Sequence, residues 1–197
     1  MKSFWDTRYD TEQYVYGTEP NRFFSAGLQR LNPGRVLLPG EGEGRNAVFA
    51  ASLGWKVDAI DQSNVGAEKA LDLAGAAGVN INYWVGDIVQ FPFKSEVYDA
   101  VALIFVHLPP PLRKPFHEKM IRVLKSGGIL LLEAFHSEQL SRSTGGPKSP
   151  ELLYNSQMLL KDFESLESQH VEELSVELEE GTFHRGTASV VRFIGKK

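Results

Sequence analysis

Five short apolar runs, at residues 35–38, 56–60, 81–85, 98–106 and 129–135, alternate with stretches of helical spacing, and this alternation constrains the fold most. Apolar runs of this length read as strands, and their repetition with helices makes a parallel sheet with right-handed crossovers and helices on both faces. The first junction is distinctive: Val36-Leu37-Leu38-Pro39 breaks into Gly40-Glu41-Gly42-Glu43-Gly44-Arg45 and resumes as a small-residue helix from Asn46 to Leu53. A strand, a tight turn and a helix start are implied. Such a turn lets backbone N–H groups approach a ligand closely beside the unpaired donors of the helix, although it can equally do no more than close a βα unit.

The remaining elements follow from caps and breakers. Gly54 is placed to end the first helix, Ser63 to cap the second and Gly78 to close it. After Pro109-Pro110-Pro111 the spacing predicts a helix from about Lys114, with Pro115 in its first turn, Phe116, Met120, Ile121 and Leu124 on one face, and Ser126-Gly127-Gly128 as its stop. The glycine- and serine-rich stretch 136–150 is long for a passive loop and suits a lid. A helix over 156–163 precedes two extended segments, 166–178 and 183–194, joined at Glu180-Gly181-Thr182 as an antiparallel hairpin. At the other end, Phe4, Trp5, Tyr9, Tyr14 and Tyr16 lack clean periodicity, and residues 1–20 are expected to form an aromatic cap that either packs or lines the mouth of a pocket. A helix is predicted behind it through Phe23, Phe24, Leu28 and Leu31, stopped by Asn32-Pro33-Gly34.

Composition narrows the function classes. The 197 residues suit one domain, 1–197, and no apolar run approaches the roughly 18 residues that span a bilayer. The start of the chain lacks the apolar core of a signal peptide, so a cytoplasmic location without a membrane partner is expected. A net charge of −4 with no basic stripe argues against nucleic acid. There is no cysteine for a disulfide, a thiolate metal site or a nucleophile, and the five histidines lack metal-ligand spacing, so no metal is expected.

Ligands of open parallel sheets bind beyond the carboxyl ends of the strands. At those ends lie the glycine turn, Asp61 and Asp87. Asp61 can accept from two ribose hydroxyls or cap the next helix; Asp87 can accept from an adenine amine, with Ile88 and Phe91 against the ring, or cap a turn. Glu41 and Glu43 inside the turn disfavour a pyrophosphate and suit a ligand bearing an ammonium and a sulfonium.

The order and spacing of the glycine turn, Asp61, Gly86-Asp87-Ile88, Tyr98-Asp99, Leu124-Lys125-Ser126-Gly127-Gly128 and the final hairpin resemble the class I S-adenosylmethionine-dependent methyltransferases over nearly the whole chain. Phe4-Trp5-Asp6-x-Arg8-Tyr9, Tyr14-Val15-Tyr16-Gly17-x-x-Pro20-Asn21 and Gly40–Asn46 look like the branch containing the tellurite-resistance and thiopurine methyltransferases. The resemblance implies an α/β, Rossmann-like doubly wound seven-stranded sheet in the order 3-2-1-4-5-7-6, with strand 7 antiparallel. It implies S-adenosyl-L-methionine bound by Trp5, Tyr16, Gly40, Glu41, Gly42, Gly44, Arg45, Asp61, Gln62, Asp87, Ile88 and Phe105. It also implies a small-molecule acceptor with a soft S, Se or Te nucleophile, met by His107, Arg113, His136 and His184, in a monomer or weak homodimer. One departure is Leu38, where many members carry an acid whose role would pass to Glu41 or Glu43 or be absent.

In-line displacement at a sulfonium methyl group needs alignment and exclusion of water, and a base only when the nucleophile must lose a proton. His107, just past the fourth strand, is the candidate base, or else bonds to the proline-rich turn. Arg8, Arg45 and Arg113 are candidates to neutralise an anionic acceptor, or form ion pairs. Two alternatives remain. A nicotinamide oxidoreductase shares the glycine turn and the distant acid, but the Gly-x-Gly-x-x-Gly spacing is absent; a non-catalytic sensor or assembly partner would share the ligand site.

Overall fold

Val36, Leu37 and Leu38 are buried, as are Val57, Ala59 and Ile60, and these runs pair in parallel from Arg35 opposite Lys56 to Pro39 opposite Ile60. They form β1 (Arg35–Pro39) and β2 (Lys56–Asp61). The computed structural model describes residues 2–197, and its seven strands form one sheet in the order β3-β2-β1-β4-β5-β7-β6. The others are β3 (Asn82–Val85), β4 (Tyr98–Ile104), β5 (Leu124–Phe135), β6 (Ser168–Glu180) and β7 (His184–Lys196). β7 runs antiparallel to β5, so the order and polarity are those that the resemblance implied.

The chain divides into two compact units, one running to Pro92 and including Glu180–Phe183, the other comprising Phe93–Glu179 and His184–Lys197. The first holds β1–β3 with α1 (Lys2–Tyr9), α2 (Arg22–Leu28), α3 (Arg45–Ser52) and α4 (Asn64–Ala76). Gly54, at φ +86, ends α3, and Ser63 Oγ accepts from the Gly66 N–H to cap α4, both as expected. The second holds β4, β5 and β7 with α5 (Pro110–Val123) and α6 (Ser156–Asp162). Phe135, Leu153, Leu178, Ala188 and Val190 form a buried cluster there.

Four boundaries differ from expectation. α5 begins at Pro110 rather than near Lys114, because Pro110 and Pro111 fill first-turn positions whose N–H groups need no partner; Pro115 then lies inside the helix. Ser126-Gly127-Gly128 does not stop that helix. β5 starts at Leu124, and these residues form an irregularity between the pairs Tyr98–Leu124 and Ala100–Ile129. α2 ends at Leu28, before Leu31, and residues 2–9 are helical despite their poor periodicity. The stretch proposed as a lid is fastened to β7: buried Gln139 accepts from the Ser189 N–H at 2.8 Å and donates to Thr144 and Gly145. No helix among the described residues is long and apolar enough to cross a membrane.

Candidate active site

β1 delivers the chain into the glycine turn, where the Gly40 N–H continues the ladder to the Ile60 carbonyl at 2.7 Å. Gly42 is braced on three sides. Its N–H donates to Asp61 Oδ2 at 3.2 Å, its carbonyl accepts from Tyr83 Oη at 2.5 Å, and Tyr9 Oη stands 2.6 Å from where a Cβ would project. At Gly44, φ +89, a Cβ would lie 2.6 Å from that of Ala70 in α4. Packing alone therefore demands two of the three glycines.

Each carboxylate of the turn has its own environment. Asp61 Oδ1 accepts from the Ser63 N–H at 2.9 Å, and each of its oxygens keeps accepting capacity for a ligand hydroxyl. Burial raises its pKa against the N–H bonds of Ser63, Gly42 and Gln62 that lower it. Glu41 Oε1 accepts from the Ala47 N–H in the first turn of α3 at 2.7 Å. Burial pushes the Glu41 carboxyl up to about 7, against the bonds from Ala47 and Asn46 and the charge of Arg45. Among the described residues no lysine or arginine pairs with it, so a ligand that brings an ammonium group fits this site.

Glu43 and Arg45 face elsewhere. Glu43 Oε2 accepts from the Val15 N–H at 2.8 Å, and its other oxygen meets Lys69 Nζ at 2.5 Å, so Glu43 braces the N-terminal cap and does not take over the missing acid at 38. The charge argument for the turn rests on Glu41 and Asp61 instead. Arg45 donates to the Tyr16 carbonyl at 3.2 Å and to Glu180 at 2.8 Å. One amino group holds the cap and the other the end of β6.

The cap is built from α1 and residues 10–17. Trp5 stacks on Tyr9 at 5.5 Å, and Tyr16 meets Tyr9 edge-on at 6.4 Å. Asp6 Oδ1 accepts from Ser63 Oγ and the Asn64 N–H at the start of α4, at 2.7 and 2.9 Å. Lys69 donates to the carbonyls of Tyr9, Thr11 and Gln13. Near Asp61, whose carbonyl accepts from the Gly86 N–H at 2.8 Å, Asp87 Oδ1 accepts from the Val89 N–H. Asp87 is exposed, while Ile88 and Gln62 are half-buried.

In the second unit, Phe105 follows β4 at φ +54, a conformation uncommon for a bulky residue. Its N–H donates to the Glu133 carbonyl at 2.7 Å, and its ring stacks on Phe135 at 4.6 Å and meets His184 edge-on at 4.7 Å. His107 also stacks on Phe135, 5.8 Å between centroids. Nδ1 of His107 donates to the Leu152 carbonyl at 2.6 Å, and Nε2 accepts the Phe135 N–H at 3.3 Å. Burial lowers its pKa to about 4. With both nitrogens in backbone hydrogen bonds, His107 serves as a joint between the segment after β4, Phe135 and Leu152, the second of the two readings its sequence position offered.

Arg113 takes the ion-pair alternative. It pairs with Asp162 at 2.7 Å, which accepts from His117 Nδ1 at 2.9 Å, tying α5 to α6. His136 lies among Ser137, Ser189 and Glu173, the last at 3.5 Å from Nε2. Phe105, His107 and His184 are thus brought together, and Arg113 and His136 have separate settings. Lys69, Tyr83 and Tyr154 escaped sequence reasoning, and Tyr9 was visible only as one aromatic of the cap. Its i, i+4 spacing from Trp5 on α1 was the further signal available. Among the described residues no group of three or more histidine, aspartate or glutamate side chains is arranged to hold a metal ion.

Residues 36–128 match the family model for a methyltransferase domain. The fold is shared with a protein studied in the conversion of a disulfide bond into a thioacetal group during echinomycin biosynthesis: 19% identity, TM-score 0.76, covering 100% of this chain and 92% of that one. TehB from Haemophilus influenzae is 17% identical at TM-score 0.73, covering 100% of this chain and 66% of its own. Phosphoethanolamine N-methyltransferase 2 of Haemonchus contortus, in complex with S-adenosyl-L-methionine, is 15% identical at TM-score 0.71, covering 98% and 56%. No curated protein matches the sequence.

Proposed function

We propose that the chain is a class I S-adenosylmethionine-dependent methyltransferase and that its acceptor is a small molecule with a soft sulfur, selenium or tellurium nucleophile. The observation that carries this reading is His107. The histidine best placed by sequence to remove a proton has both nitrogens in backbone hydrogen bonds, and burial, which lowers its pKa to about 4, makes it a weak base. A nucleophile that is already anionic or polarisable needs no base there; an alcohol would.

S-adenosylmethionine supplies a sulfonium-bound methyl group to an in-line nucleophile. The chain's own residues bind, orient and exclude water. We assign Glu41 to the donor's ammonium, since its buried carboxyl lacks a paired cation, and Asp61 to the ribose hydroxyls, since each oxygen has accepting capacity left. Gly40, Gly42 and Gly44 shape the turn, and Gln62, Asp87 and Ile88 flank Asp61 in sequence or across the neighbouring strand end. Trp5 and Tyr16, through their contacts with Tyr9, form a cap beside this turn. Much of the acceleration then comes from alignment in a site with little water.

A screen with methyl-labelled donor tests the proposal. Thiols and selenium or tellurium oxyanions should accept label, while matched alcohols should not. Transfer to alcohols or amines but to no soft nucleophile would overturn the acceptor assignment.

A further inference from the structure

Of the three arginines that sequence offers for an anionic acceptor, two are committed: Arg45 to Glu180 and Arg113 to Asp162. Arg35 and Arg192 face Asp58 and Glu133 in the same manner. Arg8 is different. It is half-buried, yet among the described residues it has no carboxylate partner, and its Nη1 donates to Tyr16 Oη at 3.3 Å. Its guanidinium lies 5.0 Å from the ring of Phe4 and 4.2 Å from that of Phe183. Those are the two exposed phenylalanines of the described residues, at 54% and 46%. Burying apolar edges would have hidden both rings elsewhere; here they flank one cation.

The hairpin tip is fastened to the cap. Phe183 sits at the tip of the β6–β7 hairpin, where the Thr182 N–H donates to the Val15 carbonyl at 3.0 Å. Glu180 accepts from Arg45 and Asn21, at 2.8 and 3.0 Å. Gly181 admits no side chain, since a Cβ would press on the Val15 carbonyl and the Gly17 N–H. On α1, Trp5 and Tyr9 form an i, i+4 stripe whose Tyr9 packs on Gly42, and Phe4 and Arg8 form the adjacent stripe, with Arg8 meeting Phe183 at the hairpin tip. A weakly hydrated, planar guanidinium held between rings and lacking a counter-ion is set up for a planar oxyanion.

We propose that Arg8, walled by Phe4 and Phe183 and steadied by Tyr16, is a binding site for the carboxylate-type anion of the methyl acceptor. This rests on the methyltransferase reading and narrows it: the soft nucleophile belongs to an anionic molecule. The donor also carries a carboxylate, but the stripe of α1 that packs on the glycine turn, through Tyr9, is that of Trp5 and Tyr9, and Arg8 lies on the other one.

The test titrates benzoate, with benzamide as its uncharged match, into the full chain with and without S-adenosylhomocysteine, for wild type, Arg8→Gln and Arg8→Lys. Benzoate is expected to bind wild type and benzamide not. Arg8→Gln should lose benzoate affinity at least tenfold with an unchanged melting temperature, and Arg8→Lys should lose less. S-adenosylhomocysteine affinity should be the same in all three. Benzoate binding that is absent from wild type, or equal in Arg8→Gln, overturns the site. Arg8→Gln weakening S-adenosylhomocysteine instead, without weakening the decarboxylated donor, overturns it in favour of the donor's carboxylate. Failure of wild type to bind S-adenosylhomocysteine while benzoate still binds through Arg8 would strike the methyltransferase reading and leave the anion site standing.

Discussion

Glu41 and His107 titrate with opposite consequences. Folding raises the Glu41 pKa from 4.5 to about 7, so the folded chain holds that proton more tightly, and stability falls as pH rises through this window. Folding lowers the His107 pKa from 6.5 to about 4, so the unfolded chain binds the proton more tightly, and stability falls as pH drops through that window. In wild type the two oppose each other. Glu41→Gln removes one, and its melting temperature is expected to fall more steeply than that of wild type between about pH 6.5 and 5. Parallel melting curves would contradict the environment assigned to Glu41. The same residue couples to ligand: a donor ammonium must displace the proton, so wild-type affinity should tighten toward about pH 7 and Glu41→Gln should flatten that dependence. At Gly44, alanine would meet Ala70 from a positive φ of 89, and a loss of about 2 kcal/mol or more in denaturant unfolding is expected.

Two elements owe their positions to single side chains. The segment after β4 is held by His107 and by Tyr154, whose hydroxyl accepts from the Leu108 N–H at 2.8 Å and whose pKa burial pushes up to about 12. Tyr154→Phe leaves that buried donor without a partner, and roughly 1–3 kcal/mol of stability should be lost in a melt. The cap hangs on Lys69, which faces three carbonyls and Glu43. Lys69→Met should raise amide hydrogen exchange across residues 9–17 while α3 stays protected; unchanged exchange would show that Tyr9 packing suffices.

At this scale the strands were legible because buried runs such as 36–38 and 98–104 carry no competing polar period. α5 was misplaced because three prolines read as a breaker when the last two sit where a helix needs no N–H. Residues 2–9 hid their helix because it is fastened by Asp6 to α4 and by Tyr9 to Gly42, partners far away in sequence.

Over the whole molecule, strand order and polarity followed from the resemblance, whose landmarks lie at strand ends along nearly the full chain. The candidate site was only half legible. Gly42, Asp61 and Glu41 could be found as turn and strand-end residues, yet sequence cannot tell a carboxylate that awaits a ligand from one that braces the fold, and Glu43, two residues from Glu41, proved to be the brace. The same ambiguity attached to His107 and Arg113, whose partners Leu152 and Asp162 lie about 45 residues on and leave no local pattern. Calorimetric titration of wild type and Asp61→Ala with S-adenosylmethionine, S-adenosylhomocysteine and NAD tests the central claim most directly. Both adenosyl compounds should bind wild type, with affinity falling by about 1.5–3 kcal/mol in Asp61→Ala. Tight binding of NAD with no response to the sulfonium compound would contradict the account.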